Sequence, residues 1–76
     1  MENRKPMKIN TMTLQECVDK MRGLGLRTTE TTVGAMLEAG KYPFGIACRP
    51  YGKNLVVEIY EELFWKWVDE RAVPVE

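Results

Sequence analysis

The spacing of apolar residues changes twice along this chain of 76 residues, and the changes divide it into segments of different structure. Before Gly40, apolar residues recur every three to four positions, which is typical of amphipathic helices. Between Phe44 and Ile59 they alternate with other residues, which indicates strands. From Tyr60 onward the helical spacing returns. The sequence therefore predicts an α+β fold with the element order α-α-β-β-α.

The first helix is marked by a capping box at its start. Thr13 and Glu16 stand where their side chains can satisfy the unpaired N–H groups of a helix N-terminus. Gly23 is a residue type that commonly ends helices. These signals predict a helix over residues 14–22. Its apolar face is expected to consist of Leu14, Cys17, Val18 and Met21.

The second helix is predicted over residues 30–39. Thr29 is its expected N-cap, and Glu30 suits the positive N-terminal end of the helix dipole. Gly40 ends the helix and Pro43 prevents it from restarting. The apolar stripe consists of Val33, Met36 and Leu37. The exposed face is expected to carry Glu30, Thr31, Gly34, Ala35 and Glu38.

Two strands and a third helix complete the domain. Turn-forming residues fill positions 50–54, so the alternating segments on either side are expected to form a hairpin. In the first strand, Ile46 and Cys48 alternate with Ala47 and Arg49. A helix is predicted over residues 61–71, with Trp67 in the core. Trp65 lies off the apolar stripe, so it either covers the hairpin or contacts a partner. The helix stripe consists of Tyr60, Leu63, Phe64, Trp67 and Val68.

A chain of this length forms one small domain. The domain is predicted over residues 13–71. Residues 1–12 are expected to form a flexible N-terminal arm, and residues 72–76 a flexible tail.

The absence of histidine excludes a Ser-His-Asp or Cys-His mechanism and a His-ligated zinc site. Two cysteines cannot complete a structural zinc site, and we interpret Cys17 and Cys48 as reduced, buried, small apolar residues. No phosphate loop or metal motif is present, so the chain is not expected to be an enzyme or to bind a cofactor. No apolar run approaches the length of a membrane span. A cytoplasmic protein without membrane association is expected.

The net charge of zero conceals an uneven distribution of charge. Residues 1–27 carry +3, residues 28–40 carry −2, residues 41–53 carry +3 and residues 54–76 carry −4. The N-terminal part and the hairpin are therefore basic, whereas the last helix is acidic. Phosphates respond to the local field, so a neutral chain can still present a surface that binds them.

The predicted elements are typical of a helix-turn-helix with a wing. A helix fits the major groove of DNA, and a basic hairpin can lie along the adjacent phosphates or in the minor groove. Residues 29–60 also carry a recognisable motif, in the order Thr32-Val33, Met36-Leu37, Gly40-Lys41-Tyr42-Pro43, Pro43-Phe44-Gly45, Ile46-Ala47 and Gly52. This motif resembles the small excisionase-like DNA-binding proteins of prophages and conjugative elements. These are winged-helix domains related to the MerR-type DNA-binding domain.

The resemblance implies a non-catalytic DNA-binding accessory protein, either excisionase-like or a small phage regulator acting in transcription or DNA recombination. Helix 30–39 would enter the major groove, and the 44–60 hairpin would lie on the flanking backbone or in the minor groove. Double-stranded DNA is the implied partner, with a recombinase or integrase, or a second copy on DNA, as further candidates. The candidate DNA-binding residues are Arg27, Thr28, Thr29, Thr31, Thr32, Lys41, Arg49, Tyr51 and Lys53.

Each candidate residue also has an interpretation that does not involve DNA. The threonines can contact bases or phosphates, or they can simply cap the helix. Arg49 and Lys53 either contact DNA or prevent aggregation at the sheet edge. Tyr51 either packs on a sugar or base or shields the turn. The zero net charge and the acid-bearing exposed face of the second helix favour an alternative: a protein-interaction module on the same fold with little or no DNA binding.

Overall fold

A three-stranded antiparallel sheet packs against three helices in the computed structural model, which describes residues 7–74. The strands lie in the order β1-β3-β2. The α+β class is confirmed, but a strand precedes the first helix, so the order is β-α-α-β-β-α. The elements are β1 (Thr11–Met12), α1 (Leu14–Gly23), α2 (Glu30–Glu38), β2 (Gly45–Cys48), β3 (Val56–Tyr60) and α3 (Glu61–Asp69).

Strand β1 was not predicted, and it shortens the predicted N-terminal arm. Thr11 pairs with Tyr60, and Met12 pairs with Ile59 while its side chain is buried. The sheet therefore includes residues that the sequence assigned to the arm of residues 1–12. Residues 1–6 of that arm, and residues 75–76 of the predicted tail, lie outside the described residues.

The capping box of α1 is present, because Thr13 Oγ1 accepts a hydrogen bond from Glu16 N–H and the Glu16 side chain accepts one from Thr13 N–H. The end of the helix was predicted incorrectly. Gly23 is helical, and the chain leaves the helix at Gly25, whose φ of +98° favours glycine. The N–H of Leu26 then donates to the carbonyl of Met21.

Helix α2 starts at the predicted residue and ends at Glu38, one residue before the predicted end. Thr29 is its N-cap, and Gly40 adopts a φ of +74° just beyond its last turn. The N–H of Gly40 donates to Leu37, and the N–H of Lys41 donates to Met36. This pair of bonds is a Schellman motif, which satisfies carbonyl groups that a helix end leaves unpaired.

The core lies between the sheet and the helices. Phe44 is at its centre, with its ring centroid 5.2 Å from the rings of both Phe64 and Trp67. Trp67 is half-buried against the core, as predicted. Trp65 is 38% exposed and lies beside Phe64 and Lys20. The buried apolar residues are Met12, Cys17, Val18, Met21, Val33, Leu37, Phe44, Ile59, Phe64 and Val68.

The register of β2 places Gly45 and Ala47 on the face that packs against the helices. Ile46 and Cys48 therefore face outward and are exposed, so the prediction that Cys48 is buried is wrong. A side chain at Gly45 would lie 2.6 Å from the carbonyl oxygen of Glu58, so this close approach excludes larger residues from the inner face. Cys17 is buried and reduced, as predicted.

Helix α3 ends at Asp69, two residues before the predicted end. Its Phe64 and Val68 are buried, whereas Leu63 of the same predicted stripe is 45% exposed. Across the described part of the chain, no helix combines the length and apolar character that crossing a bilayer requires.

Candidate nucleic-acid interface

The outward face of α2 carries small and polar side chains. Thr31, Ala35 and Glu38 follow at four and three positions, so they share one face of the helix, and all three are exposed. Gly34 was expected on this face, but it is buried: a side chain there would lie 2.8 Å from the end of Leu55. The face is therefore narrower than predicted; Glu38 lies on it, and the exposed carboxylate of Glu30 lies beside it at the start of the helix.

A groove of about 430 Å³ borders α2 on the side of its connection to α1. We call it the arginine groove; it is lined by Arg22, Leu26, Arg27, Thr28, Thr29 and Thr32. Arg22 Nε–H donates to the carbonyl oxygen of Thr28 at 2.9 Å, which ties the end of α1 to the start of α2. The Thr28 hydroxyl oxygen is shielded from solvent and has no hydrogen-bond partner within the described residues.

The threonines at the start of α2 have different roles. Thr29 Oγ1 accepts a hydrogen bond from the Thr32 N–H at 3.2 Å, and its hydroxyl donates to Thr32 Oγ1 at 3.1 Å. Thr29 therefore caps the helix, and Thr32 supports the cap. Thr31 takes no part in these bonds, and its exposed side chain lies on the outward face of α2.

A second groove, of about 290 Å³, separates α2 from the hairpin. We call it the hairpin groove; it is lined by Leu14, Glu30, Thr31, Ala35, Arg49 and Leu55. Arg49 Nε lies 3.4 Å from Glu38 Oε2, so an ion pair joins the end of β2 to the last turn of α2. Arg49 Nη1 also donates to the carbonyl oxygen of Lys53 at 3.3 Å, across the hairpin turn.

The remaining candidates lie outside both grooves. The Lys41 and Lys53 side chains are exposed. Tyr51 is 97% exposed in the short 3₁₀ turn Pro50–Gly52, and its φ of +62° is uncommon for a residue with a side chain. A left-handed conformation costs a non-glycine residue about 1 kcal/mol or more. Because the Tyr51 side chain is almost fully exposed, packing against the rest of the protein does not offset this cost.

The structure thus unites most of the predicted site around the first half of α2. Arg27, Thr28, Thr29 and Thr32 line one groove, and Thr31 and Arg49 line the other. Sequence reasoning overlooked Arg22, which lines the arginine groove. Its position in the last turn of α1, a short connection away from Thr28, was the signal that could have identified it.

The electrostatic character of this surface is basic despite the neutral chain. Two exposed acids, Glu30 and Glu38, lie on the same surface, and the charge of Glu38 offsets that of its partner Arg49. The exposed cations are Arg22, Arg27, Lys41, Arg49 and Lys53. Such a surface attracts anions, and the positive end of the α2 dipole adds to the attraction near Thr29.

No known protein family, curated protein or solved structure matches this chain. Within residues 7–74, no three cysteine, aspartate or glutamate side chains are grouped so that they could hold a metal ion. The side chains beside α2 bring cations, carboxylates and hydroxyl groups to a surface bordered by two grooves.

Proposed function

We propose that this chain is a non-catalytic DNA-binding accessory protein with a winged helix-turn-helix architecture, comparable to excisionase-like proteins or small phage regulators. Helix α2 enters the major groove of double-stranded DNA. The hairpin of residues 44–60 lies on the flanking backbone or in the minor groove. A cytoplasmic location follows from this role.

The observation that carries the proposal is the position of cations on both sides of α2. Arg22 and Arg27 border the helix in the arginine groove, and Arg49 borders it in the hairpin groove. A helix in the major groove faces base edges and lies between two phosphate backbones, so cations beside it can contact bases or phosphates and fix its orientation. The narrow outward face between them, Thr31 and Ala35, is small enough to allow close approach to base edges.

The hairpin loop supports the same orientation. Lys53 adds a cation, and Tyr51 presents an almost fully exposed ring at the end of the hairpin. Backbone strain often accumulates at functional sites, and an exposed tyrosine with positive φ fits a residue that contacts a sugar or base. Helix α3 contributes no residue to the arginine groove or the hairpin groove. It carries acidic side chains, and their repulsion from DNA would orient the domain with α3 away from the duplex.

A titration of fluorescent duplex DNA, followed by anisotropy at increasing salt, tests the proposal. Binding should weaken steeply, with a log–log slope of about −3 to −5 if about four to six phosphates are neutralised. Replacing both Arg22 and Arg27 with alanine should weaken binding and reduce the slope by about 2. Replacing Lys66, an exposed cation on α3, is the matched control and should change neither. Wild-type protein that binds no duplex in a salt-dependent way would contradict the proposal.

A second candidate function, a protein-interaction module, is favoured by an apolar groove of about 370 Å³ near the end of α3. Trp67 and Val68 line it on one side, and the partly exposed Leu24 and Leu26 line it on the other. A photo-cross-linking amino acid placed at Leu24 or at Tyr51 in cells distinguishes the two functions. Cross-links to DNA from position 51 support the DNA-binding proposal, whereas protein cross-links from position 24 alone support the alternative.

A further inference from the structure

The outward face of α2 has no cation of its own, although guanine is read most often by arginine. The hairpin supplies one, because Arg49 lies against this face. We infer that Arg49 belongs functionally to α2 and reads a guanine edge in the major groove, rather than contacting phosphates as part of the wing. This inference rests on the proposed DNA-binding function and specifies the base that α2 and Arg49 recognise together.

Two intramolecular contacts hold the Arg49 side chain in place. Glu38 Oε2 lies 3.4 Å from Nε, and the Lys53 carbonyl oxygen accepts a hydrogen bond from Nη1 at 3.3 Å. The first contact fixes the guanidinium relative to α2, and the second fixes it relative to the hairpin turn. Contacts of this kind at an exposed site add little to stability, but they restrict the rotamers of a long side chain.

The two contacts leave the reading edge of Arg49 available. A guanidinium carries five N–H donors, of which the one on Nε faces Glu38 in the ion pair and one on Nη1 donates to the Lys53 carbonyl oxygen. Three donors remain on Nη1 and Nη2, and the side chain is 50% exposed. Parallel bonds from these two nitrogens match O6 and N7 of guanine, the commonest base-specific contact in the major groove.

The neighbours of Arg49 indicate which base stands beside that guanine. Thr31 and Ala35 line the same groove and offer methyl groups beside the Thr31 hydroxyl, while the Glu30 carboxylate lines the groove at the start of α2. Methyl groups of alanine and threonine contact the C5-methyl group of thymine. The ligand of this surface is therefore a duplex with a guanine adjacent to a thymine in the major groove.

Lys53 provides the comparison that makes this inference testable. It lies on the same hairpin and carries the same charge, yet no side chain within residues 7–74 is paired with its ammonium group. An unrestrained lysine suits a phosphate contact, which contributes affinity without sequence preference. Replacing Arg49 with alanine should therefore reduce the sequence preference of binding, whereas replacing Lys53 with alanine should reduce the affinity for all duplexes.

The experiment starts with wild-type protein and a pool of duplexes whose random core spans about 12 base pairs, slightly more than one helical turn. The selected duplex is then compared with a scrambled duplex of the same composition. Arg49→Ala should weaken binding to the selected duplex about 5- to 150-fold and change binding to the scrambled duplex far less. Lys53→Ala should weaken binding to both duplexes by the same factor. Circular dichroism of each variant confirms that it is folded.

Two further measurements test the contact itself. Replacing the preferred guanine with 7-deazaguanine, which lacks the N7 acceptor, should weaken binding of the wild type but not of Arg49→Ala. Glu38→Gln should bind the scrambled duplex more tightly, because a negative charge is removed, and should discriminate less between the duplexes.

Equal weakening of both duplexes by Arg49→Ala, or equal loss from 7-deazaguanine in both proteins, would overturn the inference while the proposed function stood. A selected motif without guanine would overturn it as well. If the wild type shows no salt-dependent binding to any member of the pool, the proposed function itself fails.

Discussion

The two sides of this molecule use their residues differently. On the core side, α1, α3 and β3 enclose large side chains such as Phe64 and Ile59, both of which are fully buried. On the open side, the outward face of α2 presents Thr31, Ala35 and Glu38, and the hairpin presents cations and an exposed tyrosine. Packing accounts for the residue types on the core side but not for those on the open side. We propose that the core side stabilises the fold and that the open side recognises DNA.

The largest effect should come from the core side. Phe64→Ala removes a fully buried ring that packs against Phe44 and Trp67, and it should lower the free energy of unfolding by about 3–5 kcal/mol. A domain this small has little more stability than that, so the variant should be largely unfolded. Urea denaturation followed by circular dichroism measures the effect. Leu63→Ala, on the exposed part of the same helix, is the control and should cost less than about 1 kcal/mol. Similar losses in both variants would remove the distinction between the two sides.

A smaller loss of stability is expected at the contact between β2 and β3. Gly45→Ala places a methyl group 2.6 Å from the Glu58 carbonyl oxygen, so the strands must separate, at a cost of about 1–3 kcal/mol. Gly23→Ala is the matched control, because a side chain there meets nothing within 4 Å. The same denaturation experiment compares them. A neutral Gly45→Ala variant would contradict the strand register on which the exposure of Cys48 depends.

Two threonines in the first turn of α2 are expected to have different roles, one in stability and the other in DNA binding. Thr29→Ala removes the N-cap and should cost about 1 kcal/mol of unfolding free energy. Thr31→Ala removes an exposed side chain without a capping bond, so stability should stay within about 0.5 kcal/mol. Thermal melting measures stability, and duplex titration measures affinity. We expect Thr31→Ala to weaken DNA binding although it leaves stability unchanged; a Thr31→Ala variant that loses only stability would reverse the assignment.

The reactivity of the two cysteine thiols measures the burial of the core side and the exposure of the hairpin in the wild-type protein. Burial raises the pKa of the Cys17 thiol to about 11, whereas Cys48 is exposed. At about pH 8, iodoacetamide should modify Cys48 first and leave Cys17 intact until denaturant is added. Because the folded pKa of Cys17 is raised, its contribution to stability is complete below about pH 9 and is lost as the pH rises through about 11. Mass spectrometry of the modified peptides follows the reaction, and equal rates for both thiols would contradict the burial of Cys17.

Local signals account for what could be predicted from the sequence. The capping box at Thr13 and the cap at Thr29 placed the starts of α1 and α2 correctly, and Gly40 placed the end of α2 to within one residue, because each signal acts within one turn of the chain. Strand β1 was missed because two residues are too few to show a period. Its pairing with β3 depends on residues far along the chain.

The face of β2 could not be assigned because both of its alternating sets contain small or apolar residues. Ile46 and Cys48 are the more apolar pair, but the close approach of β3 selects Gly45 for the inner face. The threonines and the hairpin cations were identified as candidates from the sequence, and the structure places Thr31 and Arg49 together at the hairpin groove. The ion pair between Glu38 and Arg49 was not, because it forms only once the hairpin folds back beside α2.

Amide chemical shifts measured while a short duplex is added test the central claim most directly, namely that the open side alone binds DNA. The proposed function and the structure together lead us to expect changes in residues 27–35 and 49–53, which weaken as salt is raised. The chemical shifts of the α3 amides, Glu61–Asp69, should not change, and they serve as the internal control. Shifts concentrated in α3, or none at any duplex concentration, would contradict the division of the molecule into a stabilising side and a DNA-binding side.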